Sequence, residues 1–189
     1  MIRVAIVGDI GSGKSHIAKL FNYPIFNADL EIAKIYKTNK QCFKDLKNKL
    51  PKYFSSLPIK KEEIIKAIVN SEKNLKKIMK IVHPKVRTKL NIFLKNNKKK
   101  DAVILDIPLL LENKLNQTED FIIFIQSKKV EVIKRLKKRQ NFNLDIFNKF
   151  KKIQLPLSFK KKKSQFIIKN NFTNKSAKMD IKKILKKIL

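Results

Sequence analysis

The chain has 189 residues, of which 43% are hydrophobic, so a packed core is expected rather than disorder. The formal net charge of +31 would favour a nucleic-acid-binding protein, yet only four of the 46 basic residues are arginines and the lysines are spread over almost every segment. We therefore interpret most of the charge as compositional and expect no specific nucleic-acid partner.

Five short apolar runs in the chain are typical of buried parallel strands, and helical patterns separate them. The predicted strands are 2–7, 23–29, 102–106, 121–126 and 165–170. The predicted helices are 14–22, 28–49, 61–95, 128–140, 143–155 and 179–189, with a short helical turn at 108–113. This alternation predicts an α/β fold with a five-stranded parallel sheet covered on both faces.

Three local features refine these predictions. Pro84 is expected to kink or break the 61–95 block just after His83. Ser127 is placed to cap the helix that follows it. The lysine runs at 98–100 and 160–163 are expected to be solvated surface.

The compartment is predicted from the cysteine content and the N-terminus. Cys42 is the single cysteine, so no internal disulfide is possible and a reducing cytoplasm is the natural setting. The first residues lack the long apolar region of a signal peptide, and no run approaches a membrane-spanning length. We expect a cytoplasmic protein with no membrane partner.

The stretch from Gly8 to Ser15 fits the phosphate-loop pattern G-x-x-x-x-G-K-[ST], with a strand before it and a helix after it. It holds all three glycines of the chain. Backbone N–H groups of such a loop wrap a β-phosphate, and the lysine reaches the β- and γ-phosphates. The predicted nucleotide-binding residues here are Gly8, Gly11, Ser12, Gly13, Lys14, Ser15 and His16. None of the Asn-Lys pairs is followed by the aspartate of a guanine-reading N-K-x-D motif, which favours ATP.

Two acids follow predicted strands and should lie at the carboxyl edge of the sheet, beside the phosphate loop. Asp29 could accept the proton of a substrate hydroxyl as it attacks the γ-phosphate, or it could cap a helix. Asp106 could hold Mg²⁺ together with Ser15, or it could be a strand-end turn residue.

Arg135 and Arg139 are spaced four residues apart and so share one helix face. A guanidinium can clamp phosphoryl oxygens better than an ammonium can, so we predict phosphate contact from a mobile lid, with a solvated helix as the alternative. His83 is ambiguous between a packed histidine and a substrate contact.

The order of motifs resembles that of the dephospho-coenzyme A kinase family, a phosphate-loop class akin to nucleoside monophosphate kinases. The resemblance rests on "GDIGSGKS", "NADLEIA", "VHP", "DIPLLLEN", Gln154 and "FIIKNN", and it runs nearly end to end. The chain departs from the family pattern at Asp9, His16, Asn27, Ser164-Gln165 and Phe172.

The resemblance implies a three-layer phosphate-loop kinase fold that transfers phosphate from ATP, with Mg²⁺, to the ribose 3′-hydroxyl of dephospho-coenzyme A. It implies Asp29 as base, with Lys14, Arg135 and Arg139 at the transferred phosphate, and Asn170 on the nucleotide. It divides the chain into a core (1–34 and 96–189, with a lid at about 128–160) and a substrate-binding helical insert (35–95). We expect a monomer or a weak homo-oligomer.

Overall fold

The computed structural model describes residues 1–138 and 142–189, which group into two compact units. The sheet unit contains Met1–Asn27, the described part of Leu94–Phe142, and Lys151–Leu189. The helical unit contains Ala28–Phe93 and Asn143–Phe150. The domain boundaries expected from the sequence stay a prediction.

The sheet unit is built on five parallel strands in the order β2-β3-β1-β4-β5. The strands are β1 (Ile2–Gly8), β2 (Ile25–Asn27), β3 (Ala102–Asp106), β4 (Phe121–Gln126) and β5 (Phe166–Lys169). All five residues of β3 are buried, as expected for a strand covered on both faces. The α/β class and the five-stranded parallel sheet predicted from the sequence are therefore confirmed.

Among the described residues, four helices belong wholly to this unit: α1 (Lys14–Leu20), α6 (Lys129–Lys137), α8 (Leu157–Lys162) and α9 (Asn174–Ile188). The apolar stripe of α9 packs with α1 and the central strands in one core cluster. Ile181 and Ile184 of that stripe are nearly fully buried. The apolar residues that alternate with lysines along α9 therefore form the face of the helix that packs on the core. The helix begins at Asn174, five residues before the predicted start.

The helical unit contains α2 (Ala28–Thr38), α3 (Lys40–Lys49), α4 (Lys61–Asn70), most of α5 (Glu72–Asn96) and the first part of α7 (Leu144–Ile153). Of the two expectations for Pro84, a break of the second helical block is wrong, because α5 continues through the proline, and a kink stays a prediction. Side chains before and after the proline, Val82 and Val86 among them, are buried, and this packing outweighs the roughly 3 kcal/mol helix penalty of proline. The break lies instead at Ser71, whose backbone is extended.

Two further expectations are corrected. Ser127 does not cap α6, whose N-cap is Lys128; its hydroxyl donates instead to the carbonyl oxygen of Ser12 at 2.9 Å. Lys160, in a run expected to be solvated, is only 3% exposed and pairs with Glu112 at 2.7 Å. Both side chains are bound to partners far along the chain, which local sequence cannot indicate. Within residues 1–138 and 142–189, no helix has the length and apolar character needed to cross a bilayer.

Candidate active site

The phosphate loop joins β1 to α1 at the carboxyl edge of the sheet. A Cβ atom at Gly8 would lie 2.8 Å from the carbonyl oxygen of Ile125 on β4. Gly13 has a φ of +90°, and a Cβ atom there would overlap the side-chain amide of Asn170. Glycine is therefore required at both positions by the protein's own neighbours, before any phosphate is considered.

The loop is held from behind through the carbonyl oxygen of Ser12. This oxygen accepts hydrogen bonds from Ser127 Oγ at 2.9 Å and from Asn170 Nδ2 at 2.8 Å. Asn170 is 4% exposed, and its Oδ1 accepts from the backbone N–H of Phe172 at 2.9 Å. Predicted as a nucleotide contact, Asn170 thus lies under the loop and supports it.

The hydroxyl of Ser12 is buried and has no hydrogen-bond partner among the described residues. Most buried polar atoms have such a partner, so this exception in the loop marks a hydroxyl that could hydrogen-bond to an oxygen of a ligand.

Two ammonium groups meet at Asp9, the residue after Gly8. Lys14 Nζ donates to the Asp9 carbonyl oxygen at 2.6 Å and to the Gly8 carbonyl oxygen at 3.4 Å. The Asp9 carboxylate accepts from the Ile10 N–H at 2.7 Å and pairs with Lys151 Nζ at 2.6 Å. The loop therefore carries an acid whose charge a lysine from α7 compensates.

Asp106 ends β3, next to β2 at the same edge as the loop. It is 2% exposed, and its Oδ2 accepts a hydrogen bond of 2.6 Å from Asn27 Nδ2. Asn27 stands where the resemblance places an acid. An amide at this position donates to Asp106, whereas a second carboxylate would repel it.

Asp29 is the second residue of α2, directly after β2 in sequence, and it belongs to the helical unit. It is exposed, as is Ser15 at the start of α1 in the sheet unit. Acidic residues in a first turn favour the helix through its dipole, so the position suits the helix as well as chemistry.

A cavity of about 310 Å³ opens beside the loop and is lined by Gly13, His16, Arg135, Phe172 and Asn174. The Arg135 guanidinium lies over the Phe172 ring, 4.3 Å from its centroid. His16 Nε2 lies 2.7 Å from Asn174 Oδ1. Phe172 has a φ of +63°, which is uncommon outside glycine. Arg135 is thus placed beside Gly13, at the helix–loop end of the phosphate loop.

Comparisons with known proteins show the family of this chain. The family model described as dephospho-CoA kinase matches residues 2–176. The chain belongs to the dephospho-CoA kinase family. This family membership confirms the resemblance inferred from the motifs and makes the protein a transferase.

Individual relatives align with this family member over nearly all of their length. It is 30% identical over 198 residues to dephospho-CoA kinase of Bacillus thuringiensis subsp. konkukian, covering 97% of this chain and 96% of the relative. It is 29% identical over 187 residues to that of the Wolbachia strain from Brugia malayi, covering 96% and 95%.

Solved structures share its fold. The crystal structure of TT1252 from Thermus thermophilus superposes with a TM-score of 0.77 at 23% identity, covering 100% of this chain and 98% of that one. Dephospho-CoA kinase from Campylobacter jejuni superposes with a TM-score of 0.62, also at 23% identity, covering 98% and 96%. These neighbours confirm the phosphate-loop kinase fold.

In this dephospho-CoA kinase family member, the structure brings the loop residues, Asp106, Arg135 and Asn170 together in one unit. Arg139 lies outside the described residues. Sequence reasoning missed the contacts of Ser127, Asn27 and Lys151. The flanking residues of Ser127 carry no signal for its contact, because that contact depends on the parallel pairing of β4 with β1.

Proposed function

We propose that this protein transfers the γ-phosphoryl group of ATP to the ribose 3′-hydroxyl of dephospho-CoA, giving CoA and ADP, the last step of coenzyme A synthesis. The observation that carries the proposal is the family match over residues 2–176, which spans the phosphate loop and the strand-end acid. The relatives that bear this name match this chain nearly end to end.

The phosphate loop is the proposed cradle for the β- and γ-phosphates. Its backbone is held from behind by Ser127 and Asn170, so its N–H groups need little rearrangement to meet an anion. Lys14, at the first turn of α1, supplies a positive charge to the same phosphates. Arg135 is proposed to contact the nucleotide from the cavity beside Gly13, and Arg139 stays a predicted phosphate contact.

Asp29 is the proposed general base. In phosphoryl transfer a carboxylate accepts the proton of the attacking hydroxyl while the loop and the cations stabilise the charge on the transferred group. Its place right after β2 supports this role, because ligand sites of open α/β sheets lie beyond the carboxyl ends of the strands.

The residues present fit a Mg²⁺ ion that arrives with the nucleotide. Mg²⁺ prefers oxygen ligands, usually one or two from the protein plus phosphates and water. The Ser15 hydroxyl and the Asp106 carboxylate are oxygen donors of that kind, and they would hold the ion. Asn27 orients Asp106 by its 2.6 Å hydrogen bond. The described residues contain no group of three or more His, Cys, Asp or Glu side chains that could hold a metal without the nucleotide. Bound there, the ion would neutralise charge on the phosphates.

The setting proposed for this activity is the cytoplasm, where Cys42 would remain a thiol. We propose a monomer or weak homo-oligomer that binds no specific nucleic acid.

A coupled ADP-release assay tests the reaction. Dephospho-CoA should stimulate ADP formation, whereas shikimate, gluconate and nucleoside monophosphates should not. Stimulation by one of those acceptors instead would favour another small-molecule kinase of the same fold. Stimulation by oligonucleotides would favour a nucleic-acid-dependent ATPase. Either result, without activity on dephospho-CoA, overturns the proposal.

The role of Asp29 is tested by Asp29→Asn, with Glu31→Gln in the same helical turn as the matched control. We expect kcat to fall by more than about tenfold for Asp29→Asn, equivalent to about 1.4 kcal/mol of barrier, with ATP affinity nearly unchanged. A smaller fall, similar to that of the control, would mean that Asp29 only stabilises the helix.

A further inference from the structure

An acid in a phosphate loop poses an electrostatic problem. Asp9 directly follows Gly8, and its backbone carbonyl oxygen holds the loop lysine, Lys14. A carboxylate at this place repels a bound triphosphate unless a cation compensates its charge. The Ile10 N–H bonds the carboxylate at 2.7 Å, but an N–H group is a dipole and cannot neutralise a full charge.

Lys151 provides that cation. It lies near the end of α7, 142 residues along the chain from Asp9 but in the same unit, and its Nζ is 2.6 Å from Asp9 Oδ1. An ammonium has three N–H donors, and the Asp9 oxygen accepts one of them. Asp9 therefore holds two ammonium groups at the loop, Lys14 through its carbonyl oxygen and Lys151 through its carboxylate.

The ion pair is poorly placed to stabilise the fold. The Lys151 side chain is 43% exposed and that of Asp9 is 23% exposed, and pairs this exposed contribute little to stability because water screens them. The partly exposed side chain of Lys151 lies where an incoming anion can meet it. The arrangement thus suits ligand binding better than folding.

We propose that Lys151 is a nucleotide-binding residue of this protein, and that Asp9 positions it. The Lys151 ammonium neutralises the Asp9 carboxylate and directs its remaining N–H donors to the phosphates in the loop. Asp9 and Lys151 thus form a neutral pair that makes an acidic phosphate loop compatible with a triphosphate. The inference rests on the proposed ATP-dependent function.

Removing only one member of the pair should have asymmetric effects. Lys151→Met leaves the Asp9 charge uncompensated beside the phosphates, so we expect the Kd for ATP to rise at least about tenfold, or about 1.4 kcal/mol. The Kd for ADP should rise less, because ADP carries less negative charge. Lys151→Arg keeps a cationic side chain and should restore ATP affinity to within about threefold.

The double variant separates neutralisation from mere contact. Asp9→Asn removes the acid, so Lys151→Met in that background should raise the Kd for ATP much less. The double variant should therefore bind ATP more tightly than Lys151→Met alone. Lys162→Met on α8 is the matched control, because it removes an exposed lysine of the same unit without touching the loop.

Isothermal titration calorimetry with ATP and with ADP measures these affinities directly, without turnover. The inference is overturned if Lys151→Met binds ATP as tightly as the Lys162→Met control, or if Asp9→Asn gives no rescue. It is also overturned if Lys151→Met loses affinity for ATP and for ADP by the same factor while its melting temperature falls, because that is the pattern of a purely structural pair. Failure of the proposed function would appear differently, as a wild-type protein that binds ATP but does not phosphorylate dephospho-CoA.

Discussion

The buried ion pair between Glu112 and Lys160 gives the sharpest test of how the sheet unit is held together. The two side chains are 10% and 3% exposed, and their charged atoms are 2.7 Å apart. Glu112 Oε1 also accepts a hydrogen bond of 2.9 Å from the backbone N–H of Leu155. One carboxylate therefore fixes the turn after β3 to the segment that leads into α8.

Lys160→Met should destabilise the protein strongly, because it leaves the Glu112 carboxylate buried without its cation. Breaking a buried pair from one side typically costs 3–5 kcal/mol, and we expect about 3 kcal/mol because the Leu155 N–H still bonds the carboxylate. With a urea m-value of about 2 kcal/mol/M, the midpoint of unfolding should fall by about 1.5 M.

Glu112→Gln combined with Lys160→Met should recover most of this loss. The glutamine oxygen can still accept from the Leu155 N–H, and no charge remains buried, so we expect stability within about 1 kcal/mol of the wild type. The control is Lys162→Met, an exposed lysine on the same helix, which should change stability by less than about 0.5 kcal/mol.

Far-UV circular dichroism is the suitable probe for these urea titrations, since the chain has no tryptophan. The reasoning would be refuted by a Lys160→Met protein that unfolds at the wild-type midpoint with the same m-value. A double variant no more stable than Lys160→Met would refute it equally, because the loss would then come from packing rather than from an uncompensated charge.

Three other predictions concern single residues. Burial, with smaller opposing effects of Lys85 and Asp45, raises the pKa of the Cys42 thiol to about 11, so iodoacetamide at pH 8 should modify it only after unfolding, as mass spectrometry can show. Burial, and then the charge of Arg87, lowers the pKa of His83, so the unfolded chain takes up this proton at a higher pH than the folded protein does. The free energy of unfolding should therefore fall as the pH drops below about 6.5. Urea titrations from pH 8 to pH 5 measure this fall, which should be less steep in His83→Asn. Gly13→Ala should lower stability by about 1–3 kcal/mol and weaken ATP binding, because alanine at a φ of +90° is strained and its methyl group would overlap Asn170; the same titrations and calorimetry measure both.

The strands were predictable because each is a short apolar run, and such a run is the main sequence signal of a strand that is covered on both faces. The phosphate loop was predictable because its glycines have no substitute. Helix ends were harder to predict, because the continuity of α5 through Pro84 depends on its buried stripe, which a local proline rule does not weigh.

The polar contacts behind the site could not be predicted from local sequence. Ser127 donates a hydrogen bond to Ser12 across 115 residues of the chain, and Lys160 forms an ion pair with Glu112 across 48 residues. Nothing in the flanking residues of Ser127 distinguishes a helix cap from a support of the loop. Only the parallel arrangement of β1 and β4 decides between them, because it brings Ser127 to the level of the loop.

The two hydrogen bonds on the Ser12 carbonyl oxygen bear on the thermodynamics of binding. They come from the ends of two strands, β4 and β5, so the loop is ordered by folding itself, before any nucleotide arrives. The conformational entropy of this loop is then lost when the protein folds and not when the nucleotide binds, so less of the phosphate interaction energy is offset on binding. Loosening these supports should therefore make ATP binding entropically less favourable, even though neither Ser127 nor Asn170 needs to touch the nucleotide.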